Sequence, residues 1–196
     1  MTPRILAFAG SLRAGSFNKK LVRIAAEGAR AAGAEVTLLD LRDLPMPIYD
    51  GDIEREQGLP PNARTFKSLL IDHHGVLLST PEYNSQYPAV LKNAIDWASR
   101  QEPGDTPLMA FKGKIAAVMS ASPGALAALR SQTLVRSLLL YLGMVVVPTQ
   151  IGVARAAEAF DEAGRLKDEK QQAAIEALGA EAVRYVRALY PTSRAS

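Results

Sequence analysis

The 196-residue chain contains no cysteine. That absence removes disulfide frameworks, thiolate zinc sites, iron–sulfur clusters and every cysteine nucleophile. Long hydrophobic runs are also missing. The longest, residues 138–148, is interrupted by Gly143 and falls short of the roughly 18 apolar residues a membrane-spanning helix needs. The apolar start at residues 5–9 is too short for a secretory core and runs straight into a polar loop. There is no run of lysine or arginine. Twenty-three basic and 20 acidic residues leave a formal charge of +3, an excess without a nucleic-acid footprint that modestly favours encounter with anionic small molecules. No serine sits in a GxSxG elbow, so acyl transfer has no support. A cytoplasmic enzyme or binding protein is the expected class, with neither nucleic acid nor membrane as partner.

What is present has the composition of a globular protein, 48% hydrophobic and 22% charged. The length suits one domain spanning residues 1–196, large enough to bury about 70% of its unfolded surface. Short apolar runs at 4–9, 35–41, 75–80, 114–120 and 144–148 read as strands. Between and after them, 3.6-residue periodicity predicts helices: one from Ser16 to a stop at Gly33, one opened by Pro61, one after Pro88, one over 125–142 and a last one over 168–189. Residues 42–62 hold four prolines and two glycines and read as an irregular excursion. Strands apolar on both faces that alternate with helices imply an α/β fold, a doubly wound five-stranded parallel sheet covered on both sides.

Ligands of such sheets bind beyond the carboxyl ends of the strands, where strand order reverses. Three loops meet that description. The first, GSLRAGSFN, has neither GxGxxG nor a Walker lysine, since Ser16 stands where the lysine would be. It gathers Ser11, Arg13, Ser16 and Asn18 with two glycines at a strand-to-helix turn. That set suits a phosphate monoester held by backbone N–H groups, hydroxyls and a helix N-terminus. The plainer alternative is a helix capped by Ser16, with Asn18 on a solvated turn. The second loop, PEYNSQYP, offers Pro81 and tyrosines as walls for a flat heteroaromatic ring, or is an ordinary strand-to-helix connection. The third, SASPG, contributes Ser120, Ser122 and Gly124 and is weak alone. His73 and His74 are adjacent and cannot share a helical face for a metal, so a solvated helix end is expected. Asp40, Asp43, Asp50 and Asp52 show no basic or metal partner in the sequence. The segment LLLYL at 138–142 is apolar around its circumference, so it is either wedged in the core or met by another subunit.

GSLRAGSFN, TPEYN followed by PAVLKNAIDW, and SASPG together resemble the NADPH-dependent FMN reductases, flavodoxin-like proteins that include quinone, azo and chromate reductases. The segment PIYDGDIEREQGLP resembles the chromate and quinone reductase branch. The likeness covers roughly residues 4–150. It implies FMN as cofactor, its phosphate held by Ser11, Arg13, Ser16, Phe17 and Asn18. By the same likeness Pro81, Glu82, Tyr83 and Asn84 border the flavin ring, and Ser120, Ser122 and Gly124 lie at its other edge. It further implies reduction by NADPH or NADH, a small-molecule electron acceptor, a homodimer or homotetramer, and a flavin that carries the chemistry without a catalytic acid or base from the protein. Many members carry glycine where this chain has Ala89 and a glycine pair where it has Ala127 and Ala128. A non-enzymatic flavodoxin-type electron carrier is the competing expectation, disfavoured because such carriers are generally acidic. A nucleotide-free module is disfavoured by the intact polar set of the first loop.

Overall fold

Strand β1 (Arg4–Ala9) is buried from its second residue onward, whereas β2 (Glu35–Leu39) has only half-buried and exposed residues. That difference places β1 inside a sheet and β2 at its edge. Strands β3 (Gly75–Ser79) and β4 (Ile115–Ala121) are buried along their whole length. All pairings are parallel, in the order β2-β1-β3-β4. The structure, a computed structural model, describes residues 1–191. Residues 192–196, the end of the expected domain, lie outside the described residues.

The fifth position of the sheet is filled twice. Residues Val145–Val146 (β5) pair with the start of β4, and Ile151–Val153 (β6) with its end. The strand expected at 144–148 is therefore shortened to Val145–Val146, and β6 is a sixth strand that the sequence did not announce. Pro148 has no N–H to give to a ladder, and Arg136 satisfies the carbonyls of Val147 and Pro148 at 2.7 and 3.4 Å.

Helices α1 (Phe17–Ala31) and α7 (Glu169–Leu189) cover one face, over Ile5, Ala7, Leu77, Ala117 and Met119. Helices α3 (Pro61–Asp72), α4 (Ala89–Ala98) and α5 (Leu129–Tyr141) cover the other, over Leu6, Phe8, Leu78 and Val118. Odd and even residues of β1 thus serve different cores, as the pleat requires. α1 and α7 cross so closely that a Cβ on Gly28 would lie 2.0 Å from the Glu176 carbonyl oxygen, and one on Gly179 would lie 1.9 Å from that of Ala25. Only glycine fits at either point.

Two expectations need correction. The excursion at 42–62 contains a 3₁₀ turn (Leu41–Asp43) and a helix α2 (Gly51–Gln57). Asp40 and Asp50 accept from the backbone N–H groups of Arg42 and Asp52 and act as their caps, which the prolines and glycines of the segment did not reveal. The helix expected over 125–142 starts only at Leu129, because Ala127 and Ala128 have φ of 51° and 60°, outside right-handed helical space. A short helix α6 (Ala156–Ala159) precedes α7.

Candidate functional site

The strand order reverses between the parallel neighbours β1 and β3, which puts the first two loops side by side, and Gly10 N–H donates to the Ser79 carbonyl at 2.9 Å. Asn18 binds this junction together. Its Oδ1 accepts from Ser79 Oγ at 2.8 Å and from Ala121 N–H at 2.9 Å, while its Nδ2 donates to the Ala121 carbonyl at 2.9 Å. The solvated-turn alternative for Asn18 is therefore wrong: the side chain is buried and joins the start of α1 to β3 and β4. Its amide is committed to the protein, leaving its backbone N–H for a ligand.

The rest of the loop keeps its donors. Ser16 occupies the N-cap position of α1, but its hydroxyl makes no cap bond. Among the described residues, the N–H groups of Ser16, Phe17 and Asn18 bond to no backbone carbonyl. Ser11 Oγ accepts only a long 3.4 Å bond from Arg13 N–H, and the Arg13 side chain is exposed. The Phe17 ring turns away to stack on Phe160 at 5.9 Å, so this residue offers its N–H and not its ring. An array of unspent N–H groups, a free hydroxyl and a guanidinium at a helix N-terminus is the donor set a phosphate monoester requires.

The second loop folds into a tight hairpin. Tyr83 and Gln86 exchange backbone bonds of 2.9 and 3.0 Å, with Asn84 and Ser85 at φ of 52° and 65°, a primed turn in which asparagine is at ease and serine is strained. Tyr83 stands exposed. Glu82 is held: its carboxylate accepts from Arg130 at 2.7 Å and from Ser131 N–H at 3.3 Å. Ser131 Oγ also donates to the Pro81 carbonyl at 2.8 Å. Glu82 thus anchors the hairpin on α5, with Tyr83 exposed and Pro81 buried beside it. Ala89 is exposed at the start of α4.

After β4 the chain makes a left-handed passage through Ala127 and Ala128. Ser120 is buried beneath it, donating to the Ala127 carbonyl at 2.5 Å and accepting from Gln132 Nε2 at 3.1 Å. Gln132 also donates to the Ile151 carbonyl at 2.9 Å, and its Oε1 has no partner among the described residues. The Ala127 methyl points at Gly152, where a Cβ would meet it at 2.8 Å. It is thus received by β6. Ser122 Oγ accepts from Gly124 N–H at 3.1 Å, and Arg155 N–H donates to the Gly124 carbonyl at 3.3 Å. Gln132 and Arg155 were missed in the sequence. The first lay in what read as a plain apolar helix, and the second follows a strand that periodicity did not separate.

The remaining candidates are structural. His73 is buried, bonded to the Leu69 carbonyl at 2.6 Å and Thr37 Oγ1 at 2.8 Å, and His74 Nδ1 accepts from Arg4 N–H at 3.0 Å. The expected solvated end is instead a packed one. Burial, with the neighbouring cations Arg4 and Lys114, lowers the His74 pKa. Asp40 does have a basic partner, Lys19, at 2.6 Å. Burial alone would raise its pKa, but the bonds from Lys19 and Arg42 N–H hold it below the ordinary value. Asp52 pairs with Arg55 at 2.7 Å. Among the described residues no group of three His, Asp or Glu side chains is placed to hold a metal.

A parallel sheet in the order 2-1-3-4-5, with a donor-rich loop after its first strand and two further loops converging on it, defines a flavodoxin-like nucleotide-binding protein. Residues 3–158 match the sequence profile of the family described as NADPH-dependent FMN reductase, and the chain belongs to that family. It is 36% identical to an NAD(P)H-dependent FMN reductase of Pseudomonas aeruginosa over 88% of this chain and 89% of that one. It is 35% identical to a quinone reductase of Escherichia coli K12 over 74% and 73%. The structure of FerB, a flavoenzyme NAD(P)H:acceptor oxidoreductase from Paracoccus denitrificans, superposes with a TM-score of 0.78 at 30% identity, covering 95% of this chain and 98% of that one.

Proposed function

We propose that this protein is a cytoplasmic, single-domain FMN-dependent reductase that takes two electrons from NADPH or NADH and delivers them to a small-molecule acceptor, with quinones the first class to test. The observation that carries this reading is the unspent donor array of residues 11–18, which fits the terminal phosphate of FMN. Ser11, Arg13, Ser16 and the N–H groups of Phe17 and Asn18 would hold the phosphate. Pro81, Tyr83 and Asn84 would border the ring on one side and Ser122 and Gly124 on the other. Bound FMN supplies reversible hydride-accepting chemistry that no protein side chain offers.

The chain's own part is placement. Asn18 fixes the phosphate loop to β3 and β4. Glu82 and Ser131 fix the hairpin to α5, and Ser120 and Gln132 fix the loop after β4. These ties are already made within the protein, so a ligand would meet walls that need little ordering, which favours productive alignment. Arg13 and Arg155, both exposed, would favour the approach of the anionic nicotinamide dinucleotide.

The same reading includes a homodimer or homotetramer. Leu126, Leu129, Leu140 and Tyr141 are 58, 50, 58 and 85% exposed. Together they give the outer side of α5 and the loop before it an apolar character that a second copy would cover. Sedimentation velocity tests this, and a monomer at all concentrations would refute it.

Anaerobic titration of the FMN-saturated protein with NADPH tests the activity. The visible flavin absorbance should disappear at one equivalent and return with one equivalent of benzoquinone. Flavin that binds but stays oxidised would sink the reductase reading in favour of a carrier awaiting a protein donor. A protein that rejects FMN would leave only the fold.

A further inference from the structure

Among the first loop, the segment after β2 and helix α4 lies a cavity of about 290 Å³, near the low end of small-molecule sites at roughly 300–1,000 Å³. Its walls are mostly apolar, with Leu12, Leu44, Met46 and Val90 among them, and its polar lining comes from Arg42 and Asn93. None of these belongs to the flavin-binding set proposed above.

The cavity is held open by bonds that do not involve a ligand. Asn93 accepts from Tyr49 N–H at 2.7 Å and donates to the Pro47 carbonyl at 2.9 Å, and Trp97 Nε1 donates to the same carbonyl at 2.9 Å. The wall at 44–49 is thereby stapled to α4, and the Asn93 amide is spent. Arg42 differs. Its Nε donates to the Leu12 carbonyl at 3.0 Å, and its Nη atoms make no bond or ion pair among the described residues. Asp40, whose carboxylate accepts from the Arg42 backbone N–H, already pairs with Lys19 at 2.6 Å, and no salt bridge among the described residues engages the Arg42 guanidinium at the cavity. Asp43 lines a separate groove with Lys19, Arg23 and Leu38.

We infer that this cavity is a second ligand site, for a small aromatic molecule bearing a single negative charge, with the ring against Leu12, Leu44, Met46 and Val90 and the anion on Arg42. A fixed apolar slot selects a rigid ring, and a guanidinium with both Nη groups free selects an anion with two oxygens. Because Arg42 also holds the Leu12 carbonyl, the occupant would abut the loop assigned to the FMN phosphate without entering it. The site stands independently of the flavin reading.

Fluorine NMR of para-trifluoromethylbenzoate tests it, with para-trifluoromethylbenzyl alcohol as the neutral comparator, on the protein as purified and again saturated with FMN. One saturable site is expected in both states, with the benzoate about ten-fold tighter than the alcohol. Val90→Phe should weaken both probes at least about ten-fold by filling the slot, while leaving FMN retention unchanged. Val90→Met, a smaller intrusion, should weaken them in the same order if the phenylalanine variant folds poorly. Arg42→Gln should abolish the preference for the benzoate. The proposal is overturned by binding indifferent to both Val90 variants, by no saturable binding, or by stoichiometric expulsion of the probe on adding FMN.

Discussion

The two ends of the sheet are built from similar residue types and treat them in opposite ways. At the amino end, polar groups are consumed. Lys114 Nζ donates to the carbonyls of Ile71 and His73 at 2.8 and 2.6 Å, both rings of the histidine pair are bonded, and Tyr190 OH donates to the Gly113 carbonyl at 3.0 Å. At the carboxyl end donors are left over, and the backbone is strained beside them. Asn84, Ser85, Ala127, Ala128 and Arg155 all have positive φ and all follow carboxyl ends of strands, with Leu108 the one such non-glycine residue elsewhere among those described. Left-handed non-glycine residues each cost on the order of 1 kcal/mol. Their gathering at one end, together with unspent donors, separates a working surface from a foundation more sharply than burial does.

The largest test of that contrast is Asn18→Ala. Asn18 is at the working end yet wired like the foundation, and losing its bonds should cost roughly 3 kcal/mol, since each buried bond contributes about 1. FMN retention should fall with it, measured by chemical denaturation and flavin release. Undiminished stability would show that the junction does not depend on it.

At the foundation, Lys114→Met leaves two carbonyls unpaired and should cost about 2 kcal/mol with FMN affinity unchanged. Burial lowers the Lys114 pKa to about 8 from 10.5. Between these values the unfolded chain binds more protons than the native one, so the wild type should gain stability as pH rises from about 8 to 10.5. The methionine variant lacks that gain, and parallel stability profiles would refute the assignment.

Arg13→Ala reverses the pattern. FMN should bind about ten-fold more weakly, the loss of one charge-assisted bond, while the melting temperature stays put. Equal FMN affinity would remove Arg13 from the phosphate site. The smallest effect is expected from Ala127→Gly. Relief of left-handed strain should exceed the added chain entropy and stabilise the protein by no more than about 1 kcal/mol. A loss of stability would mean that the methyl packing on Gly152 outweighs the strain.

Much of the scaffold could be read in advance because it is local. Alternating apolar runs and helical periods placed β1 to β4 and most helices, and GSLRAGSFN, PEYN and SASPG were read as loops at strand carboxyl ends, where the structure has them. What escaped depends on partners far along the chain. Lys67 lies buried in a salt bridge to Asp105, His73 is paired with Thr37, and Gln132 reaches Ser120 and Ile151. Nothing near Lys67 in the sequence distinguishes it from a surface lysine. The end of β5 before Pro148 and the left-handed alanines escaped for another reason: both hinge on backbone conformation imposed by packing, which side-chain periodicity does not encode.

The fit of the Ala127 methyl against Gly152 bears on how such a protein can change over generations. Positions 127 and 152 compete for one volume, so one can carry a side chain only while the other does not. A lineage with glycine at both can acquire alanine at 127 and then meets a steeper block at 152, where the residue-127 carbonyl oxygen at 3.0 Å and Ser120 Oγ at 3.2 Å already crowd a side chain. The order of events then decides which variants remain reachable, and a substitution harmless in a relative is harmful here with no change in what the enzyme does.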